Sequence, residues 1–185
     1  MSVSGFLENI LEELRQTADL ISDEEAEVLI GRILESEKIF LAGAGRSGFM
    51  AKSFAMRLMH MGLDSYVVGE TVTKGLDKED LLIIASGSGE TKSLVSMAAK
   101  AKAIGGTVAL VTIEPDSSIG KLADITLKLP GSPKDQSGSS YITIQPMGTL
   151  FEQTLLLFLD AVILRIMDKK GMTSNKMYGS HANLE

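Results

Sequence analysis

Apolar residues recur at helical spacing from the start of the chain. Phe6, Ile10 and Leu14 interleave with Leu7 and Leu11, and acids fill the positions between them, which predicts an amphipathic helix. Ser22-Asp23-Glu24-Glu25 then reads as a capping box: the Ser22 hydroxyl caps a second helix and Glu25, three residues on, reaches back. That helix runs to about Ser36. From Lys38 the period changes. Ile39-Phe40-Leu41-Ala42 is a short apolar run ending in glycines, followed by a helical segment from Ser47 to Met61 that Gly62 stops. Tyr66-Val67-Val68 is a second strand. Leu81-Leu82-Ile83-Ile84-Ala85 is a third, unbroken in its apolar character, as expected of a strand covered on both faces. A helix from about Glu90 to Ile104 closes at Gly105-Gly106, and Thr107 to Thr112 is a fourth strand. A short helix near Ile119–Ala123 and a fifth strand, Ile125–Leu129, complete the alternation. Pro130 to Gln145 is a loop rich in Gly, Ser and Pro, long for a connection without structure of its own. Pro146 suits a first helical turn, and the last long helix runs from there to about Lys170, ending at Gly171. The tail from Met172 to Glu185 has few apolar anchors and is read as either disordered or docked on a partner chain.

Strand alternating with helix means parallel strands joined by right-handed crossovers. The expected fold is α/β: a three-layer sandwich with a five-stranded parallel sheet of flavodoxin-like order 2-1-3-4-5. The chain is expected to be one domain, with a helical pair over 1–37, an α/β body over 38–170 and a tail over 171–185.

Composition narrows the chemistry. The 185 residues hold no cysteine, so disulfides, thiolate nucleophiles, Fe–S clusters and cysteine-ligated zinc are excluded. Two histidines, His60 and His181, leave little for a histidine metal site. The net charge of −6 is unevenly spread: residues 1–37 hold 10 acids and two bases, and residues 38–185 hold 14 acids and 16 bases. An acidic chain argues against broad nucleic-acid binding, yet the slightly basic body accepts a small anion. Met1–Ser22 lacks a basic start before an apolar run, so no signal peptide is expected. The greasiest stretch, Leu155–Met167, is too short for a membrane span and contains Asp160 and Arg165. A cytoplasmic protein without membrane association is the expectation.

Two loops stand out. The first strand ends in Gly43-Ala44-Gly45-Arg46-Ser47-Gly48, which matches G-x-G-x-x-G. Alone, that pattern fits a dinucleotide fingerprint, with Glu70 as the acid about 20 positions on, or a tight turn that only lets strand and helix pack. The third strand ends in Ser86-Gly87-Ser88-Gly89-Glu90-Thr91. Its three hydroxyls surround a helix N-terminus, whose backbone N–H groups favour an anion. Such a nest fits a compact terminal phosphate better than a dinucleotide. Neither loop has the Gly-Lys-Ser/Thr order of a P-loop. In an open α/β sheet of the expected order both loops face one crevice at the topological switch point.

The pairing of Ser-x-Ser-Gly-x-Thr after the third strand with Gly-x-Gly-Arg-Ser-Gly after the first resembles the sugar isomerase (SIS) domain family, over essentially residues 5–185. More narrowly, these loops, Pro146-Met147-Gly148-Thr149-Leu150-Phe151-Glu152 and the ending His181-Ala182-Asn183-Leu184-Glu185 are similar to the family's 6-phospho-3-hexuloisomerase branch in the ribulose monophosphate pathway. The resemblance implies a phosphorylated ketohexose as substrate, with D-arabino-3-hexulose 6-phosphate and fructose 6-phosphate interconverted through a cis-enediol and no cofactor or metal. Ser47, Ser86, Ser88 and Thr91 match the family's phosphate-binding hydroxyls, with Gly45, Arg46, Gly87 and Gly89 completing the substrate-binding loops. Glu152 matches the catalytic carboxylate. His60 and His181 are candidate imidazoles that polarise the carbonyl or shuttle hydroxyl protons. His60 also reads as a structural residue near a helix end, and His181 as one that docks into a neighbour's site. A homo-oligomer is implied, tetramer favoured over dimer. Three other readings stand beside this one: a phosphosugar-binding regulator, for which 185 residues leave no room for an output domain; a nucleotide-binding Rossmann protein; and another SIS isomerase, such as one acting on arabinose 5-phosphate.

Overall fold

A computed structural model of the chain describes residues 1–132 and 142–184. Two helices come first, α1 (Val3–Ala18) and α2 (Asp23–Glu35). The alternating body is built from β1 (Ile39–Gly43), α3 (Gly45–His60), β2 (Ser65–Val67), β3 (Leu81–Ala85), α4 (Lys92–Ile104), β4 (Thr107–Thr112) and β5 (Ile125–Lys128). A long α5 (Thr149–Lys170) and a short α6 (Ser174–Tyr178) close the chain. The five strands are all parallel in the order β2-β1-β3-β4-β5, as the alternation predicts. Among the described residues no helix is long and apolar enough to cross a membrane.

Strand side chains alternate between the two faces, and each face has its own core. Ile39, Leu41, Ile83, Ala85, Ala109 and Val111 point to the side where α2, α3 and α5 deliver Leu29, Ile33, Phe54, Leu58, Phe158 and Val162. Phe40, Ala42, Leu82, Ile84, Val108 and Leu110 point the other way, onto Leu94, Ala98 and Ala101 of α4. Both faces are covered over the central strands, so β1, β3 and β4 read as largely apolar runs. Burying each Leu or Ile of this kind contributes roughly 1.5–3 kcal/mol. The register of β1 against β3 is fixed below the sheet. There Asp80, fully buried, accepts the backbone N–H groups of Lys38 (3.0 Å) and Asp77 (2.6 Å) and pairs with the Lys38 ammonium at 2.9 Å. Asp80 first among its neighbours raises the Lys38 pKa.

Three local readings change. Ser22 caps α2 by accepting the Glu25 N–H at 3.2 Å, but the Glu25 carboxylate takes the Lys128 N–H (3.1 Å) at β5 instead of closing the capping box. Residues 119–123 form hydrogen-bonded turns rather than a helix; the Asp124 carboxylate captures the Val108 N–H at 2.8 Å and pulls the chain straight into β5. The last long helix begins at Thr149, not at Pro146, because Met147 (φ 59°) and Gly148 (φ 80°) are left-handed. The predicted loop over 130–145 lies partly outside the described residues, at 133–141. The tail carries α6 and packs back on the body.

Candidate active site

All carboxyl ends of the strands lie on one side, and β1 and β3 are neighbours there. The chain leaves them in opposite directions, β1 towards β2 and β3 towards β4, and a crevice opens between. The first loop enters α3 so tightly that a Cβ on Gly43 would stand 2.9 Å from the Gly48 Cα, and one on Gly48 2.7 Å from the Gly43 carbonyl oxygen. Those two glycines serve strand–helix packing, and the polar residues between them are left for a ligand. In the second loop the buried Ser86 Oγ accepts the Gly89 N–H at 3.1 Å and the Ser88 Oγ accepts the Glu90 N–H at 3.2 Å. Thr91 caps α4 with extended backbone and makes no side-chain cap bond. A helix leaves its first N–H groups without intrahelical partners, so this end presents donors.

Between the loops lies a cavity of about 320 Å³. Ser47 bounds it at the start of α3, Ser86, Gly87, Ser88 and Thr91 at the start of α4, and Met147, Gly148 and Glu152 at the start of α5. Three helix N-termini therefore converge on one space, an arrangement that favours an anion. Phe151 forms the floor: a Cβ on Gly87 would come within 3.2 Å of its ring, and one on Gly131 within 2.8 Å of its Cβ. Glu152 is only 6% exposed, in the first turn of α5. Its Oε2 faces the Arg46 Nε at 3.1 Å, and the Arg46 Nη1 donates to Thr149 Oγ1 at 3.2 Å. Gly45, Arg46 and Gly89 do not line the cavity; Arg46 reaches the site only through its pairing with Glu152. Glu70, which the dinucleotide reading required, instead pairs with Lys52 at 2.5 Å outside this cavity.

Sequence reasoning missed the part played by two residues. Ser132, fully buried just beyond β5, lines the cavity; its position after a strand was the available signal. Glu90 accepts the Ser118 N–H and hydroxyl, both at 2.7 Å, and so ties the second loop to the turn after β4. The hydroxyl bond first, then the N–H bond, hold the Glu90 carboxyl below its usual range. No local pattern announces either pairing.

His60 and His181 are brought together, but not with Glu152. Their rings stack at 5.4 Å between centroids, beside Tyr178, in a second cleft of about 410 Å³ formed by the ends of α3 and α5 and the tail. His60 lies at the opposite end of α3 from Gly45, about 22 Å along the helix axis. Burial first, then Arg57 and His181, lower its pKa. Arg57 Nη1 approaches His60 Nδ1 at 3.5 Å; since guanidinium only donates, Nδ1 is the accepting nitrogen. Among the described residues no three His, Cys, Asp or Glu side chains are grouped so as to hold a metal ion.

The SIS domain family model matches residues 32–157. A 3-hexulose-6-phosphate isomerase of Bacillus subtilis is 62% identical over 185 residues, covering all of both chains. A 3-hexulose-6-phosphate isomerase of Mycobacterium gastri is 38% identical over 183 residues, 99% of this chain and 92% of that one. A crystal structure from Methanococcus jannaschii, for which a molecular function of 3-hexulose-6-phosphate isomerase is inferred, superposes with a TM-score of 0.85. It is 38% identical and covers 98% of this chain and 99% of its own.

Proposed function

Because the chain belongs to the SIS domain family, we propose that this cavity interconverts D-arabino-3-hexulose 6-phosphate and fructose 6-phosphate, in the ribulose monophosphate route of formaldehyde assimilation or detoxification. The observation that carries the reading is a buried carboxylate, Glu152, set across a small cavity from a hydroxyl-rich helix start. The phosphate sits at the N-terminus of α4, on the hydroxyls of Ser47, Ser86, Ser88 and Thr91 and on the free backbone N–H groups. Binding there uses no lysine, which agrees with a chain whose acids crowd residues 1–37. Holding the remote phosphate places C2 and C3 near Glu152.

A proton on carbon beside a carbonyl is weakly acidic, so the step needs a positioned base. Glu152 takes the proton from C2 of the 3-keto sugar. The C2–H electron pair forms the C2=C3 double bond, and the C3 carbonyl oxygen becomes the second enediol oxygen. Glu152 then delivers the proton to C3, and the C2 hydroxyl proton passes to the C3 oxygen, which leaves the carbonyl at C2 and a hydroxyl at C3. The net change is an internal hydrogen shift that consumes no redox partner. Arg46, paired with Glu152, meets the enediolate oxygens.

His60 and His181 are remote from Glu152 of their own chain; His181, in the exposed tail, serves as a proton shuttle in the cavity of a neighbouring copy in a homo-oligomer, a tetramer before a dimer, and the buried His60 supports the tail. The test of the reaction is direct: isomerisation of 3-hexulose 6-phosphate measured beside arabinose 5-phosphate, with turnover of the former expected. Selective turnover of the pentose would overturn the substrate. Mixing tail-truncated subunits with Glu152→Gln subunits tests sharing; activity returns only if sites are completed across copies.

A further inference from the structure

Glu13 stands in the middle of α1, half-buried and outside the cavity. Its carboxylate gathers three hydrogen bonds from three consecutive residues of a distant stretch of chain. Oε2 accepts from Thr143 Oγ1 at 2.7 Å and from Gln145 Nε2 at 2.9 Å, and Oε1 accepts from the Ile144 N–H at 2.8 Å. Gln145 is 2% exposed, and its own N–H donates to Thr143 Oγ1 at 3.0 Å. The stretch is thus gripped side chain and backbone together.

Immediately beyond Gln145 the chain forms a wall of the cavity. Pro146 leads to Met147 and Gly148, both left-handed, and then to the first turn of α5 with Glu152. A methionine in that region is unfavourable, so the turn persists only if its surroundings over-determine it. From the α5 side, the Pro146 carbonyl accepts the Thr149 N–H (3.0 Å) and hydroxyl (2.6 Å). From the other side the restraint is Glu13.

We propose that Glu13 is a positioning residue for the isomerisation: by clamping residues 143–145 it fixes the left-handed turn and hence the depth at which Met147 and Glu152 face the substrate carbons. This rests on Glu152 acting as the base. Bonds to an ionised carboxylate are roughly twice as strong as neutral ones. Burial pushes the Glu13 carboxyl up, but the bonds from Gln145, Ile144 and Thr143 together outweigh it and leave it below the usual value, so the clamp is charged. A second link, Thr154 Oγ1 to Thr17 Oγ1 at 3.3 Å, ties α5 itself to α1 one turn further along α1.

The test compares Glu13→Ala, Glu13→Gln and, as control, Glu12→Gln, whose carboxylate bonds only Arg15 and Gln16 among the described residues. Each is assayed on 3-hexulose 6-phosphate and by amide hydrogen exchange over 143–149. A displacement of about 1 Å at a reacting centre can cost 10²-fold. Glu13→Ala is therefore expected to lower kcat about 10- to 100-fold with KM within about threefold, and to speed exchange in 143–149 alone. Glu13→Gln falls between, since its amide nitrogen must face one of the donors. Glu12→Gln matches wild type. A kcat for Glu13→Ala within twofold of wild type overturns the proposal, as does unchanged exchange. If the wild-type chain turns over no hexulose phosphate, the assigned reaction falls, and the exchange measurement alone decides the clamp: faster exchange confined to 143–149 upholds it.

Discussion

Glu152→Gln is a sharp perturbation because it removes the proposed base and almost nothing else. The amide fills the same volume in a site that is 6% exposed. The contact weakened is the ion pair with Arg46, whose side chain is 55% exposed and returns to water. A pair with one partner so exposed contributes at most about 1 kcal/mol. For a chain of this length that is a shift of about 2–4 °C in Tm. The chemical loss is far larger. General base catalysis is worth about 10²–10⁴-fold, or roughly 2.7–5.4 kcal/mol at 1.36 kcal/mol per decade. The variant should therefore lose kcat by that factor, keep KM within about threefold because the phosphate is held at α4, and melt within about 4 °C of wild type. Turnover is followed by the fructose 6-phosphate formed. In heavy water, deuterium entry at C3 should fall in parallel, since the same carboxylate returns the proton. Glu152→Asp withdraws the carboxylate by one bond, about 1.5 Å, and should cost on the order of 10²-fold. A kcat within tenfold for Glu152→Gln, or undiminished deuterium entry, refutes Glu152 as the base; a much larger fall in Tm refutes the argument that the loss is chemical.

Gly89→Ala should weaken both fold and binding. The residue has φ +62°, and its Cβ would stand 1.9 Å from the Ser117 Oγ, which accepts the Gly120 N–H at 3.3 Å. Strain of about 1–2 kcal/mol and one lost bond of about 0.5–1.5 kcal/mol should lower the urea midpoint at constant slope, with KM rising; an unchanged midpoint contradicts the geometry. The tail should release in acid. The His60 pKa is lowered in the folded protein, so the undocked imidazole takes up protons first. Its contribution is complete above the ordinary value of about 6.5 and is lost as pH falls through that value towards the lowered one. Limited proteolysis within 172–184 should accelerate on going from about pH 7 to 5, and His60→Gln should abolish that dependence; cleavage indifferent to pH in the wild type would sink the argument. Prolonged treatment with a chelator should leave isomerisation intact, because a carboxylate carries the enolisation; loss of activity restored by a divalent ion would overturn that.

The sheet was legible because each strand is a short apolar run between polar breaks, and burial on both faces needs only that. The loop after β3 was legible because a Ser-Gly-Ser-Gly run between strand and helix has few other uses. The start of α5 was not: Pro146 is a good first helical residue, and nothing in Met147 announces a left-handed backbone. The His60 cleft was equally hidden, since its walls come from α3, α5 and a tail with few apolar anchors.

The sequence by itself determined the order of the strands, the two loops that face the crevice and the residue types that chemistry requires there, because periodicity and turn chemistry act over a few neighbours. The tertiary structure decided which distant groups meet. Glu152 finds Arg46, Glu13 grips 143–145, and His60 stacks on His181. Each is a contact between side chains far apart in the sequence, fixed by how helices pack on a sheet and carrying no local mark in the chain.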